Sequence, residues 1–179
     1  MTIKPILIVP DRRLTQTSQP VSAFDASLTA LIDDLRDTLI DCDNGIGLAA
    51  PQIGVLLRVF ALRIGPDEQE VSPPTIFINP AITHHDEQTE TAQEGCLSIP
   101  DTFIDITRPQ SIQLSYTDEH NQPQSCSARG LFARCLQHEN DHLNGVLLLH
   151  RLSPLKRRLA VRKVQKSLKP KKNGRPSPK

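Results

Sequence analysis

Several things are scarce in this chain, and each scarcity excludes something. Aromatic residues make up 3% of its 179 residues and tryptophan is absent, so a core has to be built from Leu, Ile, Val and Ala. The four cysteines (Cys42, Cys96, Cys126, Cys135) form no CxxC pair, so paired-cysteine metal and redox motifs drop out. No apolar run approaches the roughly 20 residues of a membrane span. The run Ile6 to Val9, stopped by Pro10 and Asp11, is too short and too badly flanked for a signal peptide. These absences lead us to expect a cytoplasmic, reducing setting and no membrane partner, with cysteines serving as ligands or core residues. Acidic residues are missing after position 150, where twelve Lys or Arg occur; of the 21 basic and 20 acidic residues this leaves 9 basic against all 20 acidic ahead of it. An acidic body with a strongly basic tail suggests a tail that meets a polyanion.

The length fits one domain with its own core. Residues 6–9 read as a short strand. From Asp25 to about Cys42, the apolar positions Leu28, Leu31, Ile32, Leu35 and Leu39 recur with helical spacing, predicting an amphipathic helix capped by Asp25 or Ser27. The small-residue stretch Gly45-Ile46-Gly47-Leu48-Ala49-Ala50-Pro51-Gln52 is a poor phosphate loop, because no Lys-Ser/Thr follows; read alone, it is a tight helix-to-strand turn. Strands are expected over Val55 to Ile64, over Thr75 to Asn79 (ended by Pro80), over 81–85 and 87–93, and over Phe103 to Thr107, Ile112 to Thr117 and 124–129. A turn-rich loop is expected over Gly65 to Pro74, and a hairpin turn at Glu119 to Gln122. A helix over Gly130 to Leu143 is ended by Asn144-Gly145. Ser153-Pro154 opens a basic helix to about Leu168. Residues 1–168 are thus read as one domain and 169–179 as a disordered basic tail. Without regular βαβ alternation, the fold class is α+β, with antiparallel strands packed around a central helix and a basic C-terminal helix.

The helix over Gly130 to Leu143 carries His138-Glu139-Asn140-Asp141-His142, an HExxH motif. Positions i and i+4 share a helix face, so both imidazoles can bind one metal ion. Glu139 lies about 100° round the helix, which frees it to move a proton at a water on that metal. A third ligand has to come from Cys135, Cys96, His84, His85, His120 or His150. His84 and His85 point to opposite faces of a strand, and His120 and His150 read as surface residues. Cys135 lies three before His138 on the same helix face. Cys96, between Gly95 and a proline-terminated apolar run, ranks first, but the residues alone leave the choice open.

Three stretches, Gly45 to Gln52, Glu94-Gly95-Cys96-Leu97-Ser98 and Gln137 to His142, resemble in order and separation the three signature motifs of peptide deformylases. The similarity runs from about Ile6 to about Val164. It implies a metal, usually Fe(II) and otherwise Zn, Ni or Co, held by Cys96, His138 and His142. It implies that Glu139 takes a proton from water and returns one to the leaving amine. Gln52 and the backbone N–H of Leu97 would stabilise the oxyanion. The implied substrate is formyl-methionine at the start of nascent chains. Gly45, Ile46, Glu94, Arg134, Cys135 and His138 would surround the methionine side chain, and Gly47 would bind substrate backbone. Glu94 and Arg108 would pair to brace the cysteine loop. Phe103 stands where an arginine is frequent and Arg134 where an aliphatic residue can occur, both expected at the rim.

The basic helix resembles the segment by which bacterial deformylases dock on the ribosome near the exit tunnel, with Arg157, Arg158, Arg162, Lys163 and Lys166 on RNA phosphates. A zinc-dependent peptidase and a non-catalytic ribosome-associated homologue are the competing readings.

Overall fold

The computed structural model describes residues 2–167; the end of the basic helix expected at Leu168 and the tail at 169–179 lie outside them. Seven strands and three α-helices make up the described chain: α1 Ala26–Asp41, β1 Gly47–Ala49, β2 Val59–Ile64, β3 Glu70–His85, β4 Thr89–Cys96, β5 Ile99–Pro109, β6 Ser111–Thr117, β7 Pro123–Arg129, α2 Gly130–Leu143 and α3 Pro154–Ser167. Five strands form an antiparallel sheet in the order β1-β2-β3-β6-β7. Strands β4 and β5 pair only with each other. The α+β expectation, with antiparallel strands around the HExxH helix, therefore holds.

Strand β2 shows why the sheet is central. Its residues alternate between two cores, Val59 and Ala61 facing α1 residues such as Leu35 and Leu39, and Phe60 and Leu62 facing α2 residues such as Phe132 and Leu136. A strand buried on both faces needs an unbroken apolar run, and Val59-Phe60-Ala61-Leu62 supplies it. Helix α1 buries the predicted stripe Leu28, Leu31, Ile32, Leu35 and Leu39, and Asp25 caps it by accepting from the N–H groups of Ser27 and Leu28. Helix α2 begins after Arg129, which makes no side-chain cap. Instead, Glu68 from the β2–β3 loop accepts the Leu131 N–H at 2.8 Å. After α2 the chain turns at Asn144 and Gly145; Gly145 has φ +70°, and a Cβ there would fall 2.7 Å from the Thr15 carbonyl oxygen, so only glycine fits. A third core joins β5 (Ile99, Ile104, Ile106) to Leu147, Leu148, Leu149 and Val164, which seats α3 on the hairpin.

Several local expectations are corrected. Residues 6–9 form no strand; alternate N–H groups go to two separate segments, Leu7 to the Gln52 carbonyl (2.7 Å) and Val9 to the Ser98 carbonyl (3.1 Å). Strand β3 begins at Glu70, inside the expected loop, and runs through Pro80 because the register shifts between Ile78 and Ala81, so the missing proline N–H falls in an irregularity. The β2 strand starts at Val59 rather than Val55. The expected turn at Gly45 to Gln52 contains the short strand β1 and a 3-10 turn over Ala50–Ile53.

Candidate metal centre

The sulfur of Cys96 and ring nitrogens of His138 and His142 converge, all within 4.8 Å of one another. Cys96 ends β4, and only Leu97 and Ser98 separate it from its pairing partner Ile99 on β5. This tight turn presents the thiol to α2, where the i, i+4 spacing brings the two imidazoles edge to face with centroids 5.0 Å apart. The sulfur lies 3.3 Å from Nε2 of His142. Thiolate plus two imidazoles is a donor set for a divalent transition metal, so the residues present fit one. His84 and His85 end β3 in exposed positions, His120 is exposed in the β6–β7 turn, and Nδ1 of His150 accepts from the Leu147 N–H (3.0 Å). None of these four joins the cluster, and neither does Cys135.

Around the three donors the polar groups are heavily constrained. Nδ1 of His138 lies 3.0 Å from Oε2 of Glu94. An ionised carboxylate only accepts, so Nδ1 donates and the other ring nitrogen keeps its lone pair for the cluster. Arg108 donates to both oxygens of Glu94, Nε to Oε1 at 2.7 Å and Nη2 to Oε2 at 3.0 Å, as expected of that pair. Its Nη1 also reaches Asp141 at 2.9 Å. Burial would raise the Glu94 pKa, but the hydrogen bonds from His138 and Arg108 outweigh it and bring it down to about 2. Burial pushes the His142 pKa well down, which keeps that imidazole neutral.

Glu139 is 4% exposed, and its Oε2 has no hydrogen-bond partner among the described residues. Burial pushes its carboxyl up to about 7. A Cβ at Gly47 would collide with this carboxylate and come within 2.7 Å of Leu62. Gly47 is thus the gap that lets β1 lie against the acid.

Gln52 is 1% exposed. Its Oε1 accepts the Ala49 N–H at 2.8 Å, which orients the amide; Nε2 then donates to the Ser98 hydroxyl at 3.1 Å and sits 3.8 Å from the Cys96 sulfur.

A cavity of about 480 Å³ opens beside the cluster and brings together nearly every residue expected there: Gly45, Ile46, Gly47, Gln52, Glu94, Cys96, Leu97, Arg134, Cys135, His138 and Glu139. His142 stands behind it, 2% exposed. Three exposed apolar side chains, Ile46, Phe103 and Leu131, lie on its border. Phe103 is at the rim as expected, 71% exposed, but Arg134 is not: it is 9% exposed, with Nη1 on Glu94 (2.7 Å) and on the Ile106 carbonyl (3.0 Å), and Nη2 on the Glu90 carbonyl (2.9 Å). Burial raises the Cys135 thiol to about 12, which suits a packing role. Sequence reasoning missed Ser98, Asp141 and the bracing by Leu7 and Val9. Ser98 had a signal, a small polar residue between Leu97 and Ile99; the others pair over long sequence separations and gave none.

Comparison with known proteins agrees with this geometry. The model of the polypeptide deformylase family matches residues 3–158. A peptide deformylase of Rhizobium meliloti is 45% identical over 169 residues, 94% of this chain and 96% of that protein. One from Mesorhizobium japonicum is 46% identical over 175 residues, 98% of each. The structure of Ehrlichia chaffeensis peptide deformylase in complex with actinonin superposes with a TM-score of 0.88 at 38% identity, covering 95% of this chain and 100% of that one. With the family's match extending over the cysteine turn, the Gln52 turn and the HExxH helix alike, the chain belongs to the polypeptide deformylase family of metal-dependent hydrolases.

Proposed function

We propose that this chain removes the formyl group from the methionine at the start of nascent chains, releasing formate, with Cys96, His138 and His142 holding one divalent cation, Fe(II) by preference. The family match supports the reaction and gives no support to a zinc peptidase or to a binding-only homologue. The observation that carries the residue assignment is the convergence of one sulfur and two imidazoles beside an unpartnered buried carboxylate. A cation in this set supplies a Lewis acid that polarises the formyl oxygen and acidifies water.

The chain's own side chains do the rest. Glu139, whose Oε2 is free of protein partners, takes the proton of the attacking water and delivers it to the departing amine. The amide of Gln52, oriented by the Ala49 N–H on Oε1 and by Ser98 on Nε2, donates through Nε2 toward the oxygen that gains charge, together with the Leu97 N–H. Gly45, Ile46 and Cys135 contribute to the wall against the methionine side chain, and Gly47 offers its own backbone to that of the substrate. Glu94 acts behind the wall, because both of its oxygens are already taken by His138 and two arginines.

We place the docking of the protein on ribosomal RNA on α3, where Arg158, Arg162, Lys163 and Lys166 are exposed and no acid interrupts the helix. Such docking puts the enzyme in the cytoplasm beside its substrate; among the described residues no helix is long and apolar enough to cross a membrane.

The test is formate release from a formyl-Met peptide by protein purified without oxygen, beside Glu139→Ala. We expect release by the unaltered chain and a loss of about 10²- to 10⁴-fold in the variant, the range for a positioned acid–base group. Equal rates would remove Glu139 from the chemistry. No release by metal-loaded protein would overturn the function.

A further inference from the structure

The three donors come from two parts of the molecule that share no sheet. Cys96 closes β4 in the two-stranded hairpin, whereas His138 and His142 stand on α2, packed against the five-stranded sheet. A divided metal centre works only if its parts are held in register to within about 0.5 Å. Side chains cross this division in both directions. From the hairpin, Arg108 on β5 reaches Asp141 on α2 at 2.9 Å. From α2, Arg134 reaches back to both strands of the hairpin, to the Glu90 carbonyl (2.9 Å) and Glu94 (2.7 Å) on β4 and to the Ile106 carbonyl (3.0 Å) on β5.

The Glu94 carboxylate is where these connections meet the metal donors. Its Oε1 receives Arg108 Nε and Arg134 Nη1, and its Oε2 receives Arg108 Nη2 and His138 Nδ1. Two donors on each oxygen fix the carboxylate in position, and His138 is oriented by what fixes Glu94. Arg134 thus touches both halves of the centre at once, through Glu94 to an imidazole and through the hairpin carbonyls to the strand that ends in Cys96.

We propose that Arg134 is a positioning residue of the metal centre that locks the Cys96 hairpin to the histidine helix, rather than a contact for the substrate side chain. The proposal rests on the reading of Cys96, His138 and His142 as the metal ligands. A lysine at this position keeps the charge but replaces a planar fork by a single point of donation, so it restores the function only in part.

The experiment loads the full chain with Co(II), whose thiolate charge-transfer absorption reports ligation by Cys96, and follows loss of that band after adding excess chelator. Arg134→Met should lose cobalt about tenfold faster than the unaltered protein or more, the scale of outer-shell effects on metal affinity, with Arg134→Lys between the two. Arg36→Met, which breaks a forked arginine–glutamate pair on Glu119 outside the cavity, should leave the rate unchanged. A folded Arg134→Met that keeps the native band and release rate overturns the proposal, however far formate release falls. Should Arg134→Met fail to fold, the release rate of Arg134→Lys decides by the same criterion. Absence of the thiolate band from the unaltered protein would overturn the metal-ligand reading and this proposal together. A normal band with no formate release would overturn only the deformylase reading.

Discussion

Two arginine–glutamate forks with similar bond lengths occupy opposite environments in this molecule. Arg36 on α1 grips Glu119 in the β6–β7 turn with hydrogen bonds of 2.9 and 2.7 Å, and the two side chains are 19% and 33% exposed. Arg108 grips Glu94 with bonds of 2.7 and 3.0 Å, and both side chains are within 5% of full burial. Water screens the first pair, which competes with solvent for every bond it makes. The second pair has left water and depends on its partners to offset the loss of hydration. Bond lengths are shared, but consequence is not: the exposed fork ties a loop to a helix, and the buried one holds the carboxylate that faces the His138 imidazole.

Removing the arginine from each fork separates them most sharply. Arg108→Met leaves Glu94 and Asp141 short of a buried cation, and we expect it to cost about 3–5 kcal/mol, the scale for breaking one side of a buried pair. Urea unfolding would measure it; a loss below 1 kcal/mol would mean that Arg134 and His138 suffice for Glu94 and would erase the contrast. For the exposed fork, Glu119→Gln should cost only about 0.2–1 kcal/mol. Its pH dependence has a definite sign. The Arg36 hydrogen bond lowers the Glu119 pKa against a smaller burial effect, so the pair's contribution is complete above the ordinary carboxylate range and fades as pH falls through the lowered value. Unfolding curves of the unaltered chain and Glu119→Gln should therefore converge in acid and differ at neutral pH; the opposite trend would refute the assignment.

Helix α3 extends the comparison to cations with no acid at all. Reversing Arg158 and Arg162 to Glu should change stability by under about 0.5 kcal/mol while weakening binding to ribosomal RNA and flattening its dependence on salt. Ribosome pelleting across a salt series would check this, and unchanged binding would confine α3 to its packing role. The point substitutions are the cleaner test, because deleting α3 would also remove Val164 from the core beneath β5.

What the linear chain held and what it withheld follow from how far apart interacting groups lie. The helix α1, its cap and its buried stripe were legible because Asp25 and the five apolar residues act on near neighbours. The HExxH pair was legible because helical spacing places His138 over His142 without help from the rest of the fold. Cys96 was only a leading candidate, since nothing local fixes a thiol 42 residues before a histidine against it; the ordered set of three motifs, as a resemblance, named it. The course of the first residues was misread, because the apolar run Ile6 to Val9 resembles a strand. Only the assembled fold offers it the two separate carbonyls, of Gln52 and Ser98, that take the Leu7 and Val9 N–H groups.

By itself, then, the sequence determined which residues could bind a metal, which stripe of α1 would be buried, and that the charge would divide between an acidic body and a basic C-terminal segment. Only the tertiary structure decided that Arg134 turns inward to the hairpin, that Gly47 makes room for Glu139, and that Glu94 serves two arginines and a histidine. These are contacts between β1, the β4–β5 hairpin and α2, elements separated along the chain. Their energies depend on burial, a property a residue acquires only when the rest of the chain has closed over it.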